Sequence, residues 1–261
     1  MARDMANDAV PPPIDLWSSM RQATSARIGL GRSGDAMPLK AVLDFQLAHA
    51  KARDAVHAPL DFDALEEQLA PYETIRVASL APDRPTYLRR PDLGRRLDKE
   101  SAAKLDAVQH GYDIVFVLSD GLSSIGVQMH AAPMIRACME RLGDLKVAPI
   151  VIARQARVAL SDDVGERLGA RLAVSLIGER PGLSVAESLG VYLTYEPRVG
   201  RRDSERNCIS NVHGLGGLSY DLAAEKLAWL ARTALKLQLT GVKLKDDVAA
   251  IAPPEIAGEI G

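Results

Sequence analysis

The chain is expected to fold as an α/β protein: a mainly parallel, doubly wound (Rossmann-like) sheet behind an N-terminal helical region. Three observations lead there. Short β-branched apolar runs recur from about residue 72 onward, Asp113-Ile114-Val115-Phe116-Val117-Leu118 being the clearest. Stretches with helical spacing alternate with those runs, an order that suits a sheet covered on both faces. The residues before about 70 carry helical periodicity and no strand pattern. On this basis 1–70 forms an N-terminal extension and helical region, and 71–261 an α/β domain.

Taken in order, Pro11-Pro12-Pro13 reads as a stiff, extended lead-in. A helical pattern from Ile14 to about Arg27 gives way to a loop punctuated by Gly29, Gly31 and Gly34, glycines that let a backbone approach closely. It is no Walker loop, because no Lys-Ser/Thr pair follows. Pro38 opens a helix to about Val56, with Leu39, Val42, Leu43, Leu47 and Ala50 as its apolar stripe. Phe62–Leu69 continues the helical region. Ile75–Leu80 is a short strand, Arg89–Arg96 a basic turn and Lys99–Gln109 a helix. Strand Asp113–Leu118 closes in Ser119-Asp120-Gly121-Leu122-Ser123-Ser124, followed by a helix to Arg141. Lys146–Ile152, Leu172–Ile177 and Val191–Tyr195 are further strands, Asp162–Leu168 a short helix, and Ser219 to about Leu237 a long one.

Composition narrows the function classes. With 261 residues the chain can bury a sizeable core. A net charge of −2 argues against nucleic acid or an anionic membrane surface as partner, and 4% aromatic residues weaken any base-stacking role. Two cysteines far apart, Cys138 and Cys208, fit a reducing cytoplasm better than a disulfide framework. No apolar run reaches the roughly 18 residues of a membrane span, and the N-terminus does not read as a secretory signal. The five histidines show no metal-ligand spacing, so no zinc site is expected.

Two segments just after strands carry the chemistry expected of binding loops, since ligands of open α/β sheets lie beyond the carboxyl ends of the strands. Asp120-Gly121-Leu122-Ser123-Ser124 offers either hydrogen bonds to a ligand or a helix N-cap. In Gly178-Glu179-Arg180-Pro181-Gly182, Glu179 can accept from an amide or sugar hydroxyl and Arg180 can meet a phosphate; the alternative is an ion pair that holds the turn. Cys208 follows the cluster Arg201–Arg206 and reads as packing or as a thiol against a ligand rather than a nucleophile. Asn211-Val212-His213-Gly214-Leu215-Gly216 is similar to the Asp-x-His-x-x-Gly motif of cobalt-ligating histidines, but Asn replaces the Asp that would orient the imidazole. A turn is sufficient explanation. The arginines of 89–96 form either a solvated face or a phosphate seat.

Several ordered strings resemble one family, the ethanolamine ammonia-lyase light chain. They are Tyr87–Arg96, Ser119-Asp120-Gly121-Leu122-Ser123, Gly178–Leu183, Glu187-Ser188-Leu189 and Asn207-Cys208-Ile209-Ser210-Asn211-Val212-His213. The resemblance implies an adenosylcobalamin-dependent radical enzyme that converts ethanolamine to acetaldehyde and ammonia. It further implies a separate large (heavy) subunit that carries the substrate site, a higher-order heteromer, and cobalamin held at the interface of the two chains. Residue by residue it assigns cofactor contacts to Glu179, Cys208 and Val158, the last through its spacing before Glu179, and no catalytic or metal-ligating residue. Under it, 71–261 becomes the cobalamin-contacting domain. Location is expected to be cytoplasmic, with a bacterial microcompartment as the variant the family allows, although no amphipathic helix precedes Pro11. The competing classes are a stand-alone nucleotide- or phosphate-binding α/β enzyme, for which Leu80–Pro85 supplies no dinucleotide fingerprint, and an assembly subunit with no cofactor contact.

Overall fold

The computed structural model describes residues 15–24 and 26–245. The Pro11–Pro13 lead-in lies outside them. The chain divides into a compact unit ending at His49 and a second from Ala50 on.

In the first unit, α1 is short, Ser18–Ala23, and stops before the loop in which Gly29, Gly31 and Gly34 all have positive φ. Helix α2 runs Leu39–His57, beginning one residue after the expected Pro38 and ending one after Val56, and continues past the unit boundary at His49. Its apolar stripe is not a core stripe: Leu39, Leu43 and Leu47 are exposed, and the only residue the helix buries is Ala55.

In the second unit, α3 spans Phe62–Leu69, α4 Arg84–Arg89, α5 Lys99–Asp106, α6 Ser124–Leu142, α7 Leu160–Leu168 and α8 Tyr220–Leu237. The strands are β1 Thr74–Ala78, β2 Ile114–Ser119, β3 Ile150–Arg154, β4 Leu172–Gly178, β5 Leu189–Tyr195 and β6 Arg206–Val212. They form one six-stranded sheet in the order β1-β3-β2-β4-β5-β6. The pairs β1–β3, β3–β2 and β2–β4 are parallel, whereas β4–β5 and β5–β6 are antiparallel. The sheet is therefore mixed. The expected parallel arrangement holds for the first four strands. It ends at β5, which is joined to β4 by the short Glu179–Ser188 loop with no crossover helix to reverse its direction. A Rossmann-like description is thus corrected to an α/β fold with a mixed sheet.

Alternation places the core on both faces. From β2, Ile114, Phe116 and Leu118 join one buried cluster with Leu65 of α3, Met134 of α6 and Leu227 of α8. Val115 and Val117 point the other way and pack with Leu105 of α5 and Val164 of α7. The clearest element missed by periodicity is β6. Its sequence alternates polar and apolar residues weakly, as an edge strand does. Helix α4 was also missed, although Asp83 caps it and Pro85 stands in its first turn.

Beyond β4 the second face is no longer apolar. There Arg206, at the start of β6, makes a bidentate ion pair with Asp162 in the first turn of α7, 2.6 Å to each carboxylate oxygen. Thr194 Oγ1 of β5 accepts a further bond from Arg206 at 2.9 Å. Both charged side chains are almost fully buried, 2% and 1% exposed. Burial works against the Arg206 charge, but the Asp162 contacts outweigh it and hold its pKa above the ordinary value. Removing one partner strands the other, so Arg206→Ala is expected to lower stability by about 3–5 kcal/mol, measured by urea denaturation. A loss below about 1 kcal/mol, the range of exposed pairs, would show that the pair does not anchor β6.

Candidate functional site

A cavity of about 950 Å³ opens where β3 and β4 end and is floored by the same face of β5 and β6. Each wall has a local cause. The loop after β3 brings Arg157 and Val158, β4 ends in Gly178-Glu179-Arg180, and Tyr192 and Cys208 stand in register on β5 and β6. The basic turn contributes Pro91, Asp92 and Arg95. Val158, Glu179 and Cys208, far apart in sequence, therefore line one space.

The loop after β3 is held by Asp120. Its Oδ2 accepts from Gln155 N–H at 2.9 Å, and its Oδ1 from Ala156 N–H at 3.0 Å and Gly121 N–H at 3.0 Å. Burial pushes the Asp120 carboxyl up, against these backbone donors. Asp120 is 4% exposed and does not line the cavity; the N-cap reading of this segment holds through Ser123, which accepts from Gly126 N–H at 3.2 Å. Gly121 and Gly178 complete the junction. A Cβ on Gly121 would lie 2.4 Å from Gly178 O, and one on Gly178 would lie 1.9 Å from Ser123 O. Only residues without side chains let these two strand ends approach so closely.

Tyr87, which also lines the cavity, supports the same loop. Its ring is buried between the guanidinium groups of Arg84 and Arg157, 4.8 and 4.3 Å from the ring centre, and its hydroxyl donates to Ala156 O at 3.1 Å. The arginines of the basic turn are largely paired: Arg90 with Asp92, Arg95 with Asp203 at 3.3 Å, and Arg96 with Asp163 at 3.4 Å. All four arginines of the turn remain exposed, as a solvated face requires, with these ion pairs formed at the surface.

Glu179 does not pair with Arg180. Its Oε2 accepts from the Ser188 hydroxyl and from Asn211 N–H at 3.2 Å. Arg180 is exposed on the cavity wall and makes no ion pair among the described residues. His213 is buried with both ring nitrogens engaged: Nδ1 accepts from Leu215 N–H at 3.1 Å, and Nε2 donates to Asn211 Oδ1 at 2.8 Å. Asn211, which stands where the cobalt motif has Asp, thus closes a local turn with the imidazole. Among the described residues no group of three or more His, Cys, Asp or Glu is placed to hold a metal ion, and no helix is long and apolar enough to cross a membrane.

Sequence reasoning assigned no individual role to Tyr87, Arg157, Ser188 or Tyr192, which line or buttress the cavity. Tyr192 left a trace: with Thr194 it places polar groups at alternate positions of an otherwise apolar strand.

Fold and site together define an α/β protein with an open cavity at its strand ends, lined by main chain, the Glu179 carboxylate, the Cys208 thiol and the side chains of Arg95, Arg157 and Arg180. The family model for the ethanolamine ammonia-lyase light chain (EutC) matches residues 14–245, and the chain belongs to that family. Relatives called ethanolamine ammonia-lyase small subunit include that of Pseudomonas syringae pv. tomato (strain ATCC BAA-871 / DC3000), 50% identical over 243 residues, which cover 90% of this chain and 84% of the relative. That of Pseudomonas fluorescens (strain Pf0-1) is 49% identical over 247 residues, 90% of each chain. That of Azotobacter vinelandii (strain DJ / ATCC BAA-1303) is 48% identical over 260 residues, 97% of this chain and 96% of the relative.

The thiols separate cleanly. Burial pushes the Cys138 thiol up to about 12, and that of Cys208, exposed in the cavity, is also raised chiefly by burial. Because thiolate is the reactive form, iodoacetamide at pH 8 should label Cys208 alone, more slowly than a free cysteine, with a rate still climbing as pH rises past the ordinary thiol value. Mass spectrometry of the native chain checks this; a second adduct before unfolding would contradict it.

Proposed function

We propose that this chain holds adenosylcobalamin against the large subunit of ethanolamine ammonia-lyase. As a light chain it serves a heteromeric carbon–nitrogen lyase acting on ethanolamine, and residues 71–261 form its cobalamin-contacting domain. The observation that supports this reading is the convergence of Val158, Glu179 and Cys208 on one cavity from the ends of β3 and β4 and from the edge strand β6.

The residues present suit the group. The cavity of about 950 Å³ lies at the upper end of small-molecule pockets and takes part of a corrinoid. Main-chain groups at Val158, the Glu179 carboxylate and the Cys208 thiol offer neutral and acceptor contacts that match the carboxamides around a corrin ring and the hydroxyl of its nucleotide. Bound there, the cofactor supplies radical chemistry by cobalt–carbon cleavage. The chain's own part is to bind, orient and exclude water. Cytoplasmic location, free or within a microcompartment, belongs to the same reading.

Two outcomes are expected. Purified alone, the chain should release no acetaldehyde from ethanolamine in the presence of adenosylcobalamin; turnover without the large subunit would refute the division of labour. In the reconstituted complex Glu179→Ala should weaken cobalamin binding about tenfold, the scale of one hydrogen bond to a charged group, while subunit assembly is unchanged. An unaltered Kd with intact assembly would remove Glu179 from the site.

A further inference from the structure

The carboxylate of Glu179 is held in an unusual way for a group at a cavity wall. Its own N–H donates to Ser188 O at 2.9 Å, and the Ser188 hydroxyl returns to Oε2. A second donor to Oε2 comes from β6 through an irregularity in the ladder. Leu189 pairs with Val212 and Val191 with Ile209, so Gly190 alone on β5 faces both Ser210 and Asn211 on β6. This is a β-bulge, with Asn211 in the left-handed region at φ 63°. The bulge takes the Asn211 N–H out of regular pairing and delivers it to Glu179 at 3.2 Å.

With Oε2 occupied twice, Oε1 is the oxygen left over, and it accepts no hydrogen bond among the described residues. It lies over Gly190. A Cβ built there would stand 3.0 Å from Oε1, 3.2 Å from Glu179 Cγ and 3.1 Å from the Tyr192 ring. All three neighbours are side-chain atoms, so a methyl at 190 displaces the Glu179 side chain rather than the backbone.

We propose that Ser188, Gly190 and the bulge at Asn211 are positioning residues that commit Glu179 Oε2 to the protein and present Oε1 as the single acceptor to the ligand. The ligand group so recognised is a neutral N–H or O–H donor, a carboxamide or a sugar hydroxyl. The inference rests on the reading of Glu179 as a cofactor contact, and it adds residues outside that contact set.

The test is a double-mutant cycle in the reconstituted two-subunit enzyme, with the Kd for cobalamin and the thermal midpoint measured for each form. Gly190→Ala should weaken binding about 3- to 10-fold, the scale of one hydrogen bond, with little change in midpoint. In a Glu179→Ala background the same change should add nothing. Ser188→Ala provides an independent arm with the same expected coupling should Gly190→Ala assemble poorly. If Glu179→Ala weakens binding but the Gly190 and Ser188 variants bind like wild type, or weaken it additively with Glu179→Ala, the positioning role is overturned and the contact stands. If Glu179→Ala itself leaves the Kd unchanged, the contact falls and the positioning role with it.

Discussion

The buried carboxylate of Asp120 is the constraint on which the cavity depends. A carboxyl group at 4% exposure is tolerated in a protein interior only when its oxygens are occupied, and here backbone N–H groups of Gln155, Ala156 and Gly121 occupy them. Those bonds tie the end of β2 to the loop leaving β3. The contact between Gly121 and Gly178 ties the same end to β4. Three parallel strand ends are thereby fixed relative to one another, and Val158 and Glu179 hang from two of them. Tyr87, with two guanidinium groups on its ring, adds a further bond to the same loop at Ala156 O.

The change of strand direction at β5 matters as much for function as for topology. A further crossover helix would have covered the second face beyond β4 with apolar side chains. The Glu179–Ser188 loop instead returns the chain antiparallel, and the uncovered face of β5 and β6 becomes a polar floor. Arg206 and Asp162 seal that floor on the α7 side, and Tyr192 and Cys208 stand open on the other. Switching the sheet from parallel to antiparallel thus brings β5 and β6 residues into the site beyond the parallel strand ends.

The division of work among the polar residues follows from burial. Asp120, Asp162 and Asp163 are all nearly inaccessible and hold backbone or arginine partners. Glu179 and Cys208 keep a face toward the cavity. Carboxylates of the same type therefore do different tasks according to whether their oxygens have been used up inside the fold.

Much of this was legible in the residues. Runs such as Ile114–Leu118, with β-branched residues and turn signals around them, announce buried strands, and the helical stripe of Ser219–Leu237 announces α8, because periodicity and side-chain shape act locally. The strings around Glu179 and Cys208 identify the family, and through it the residues to examine. What local pattern could not reveal is what depends on contacts distant in sequence. The reversal at β5, the edge strand β6, the exposure of the α2 stripe and the use of Asp120 as an internal tie all arise from which surfaces meet in three dimensions. An apolar stripe looks the same in a sequence whether it faces a core or water, and an aspartate before a helix looks like a cap until the loop it really holds, more than thirty residues onward, is folded against it.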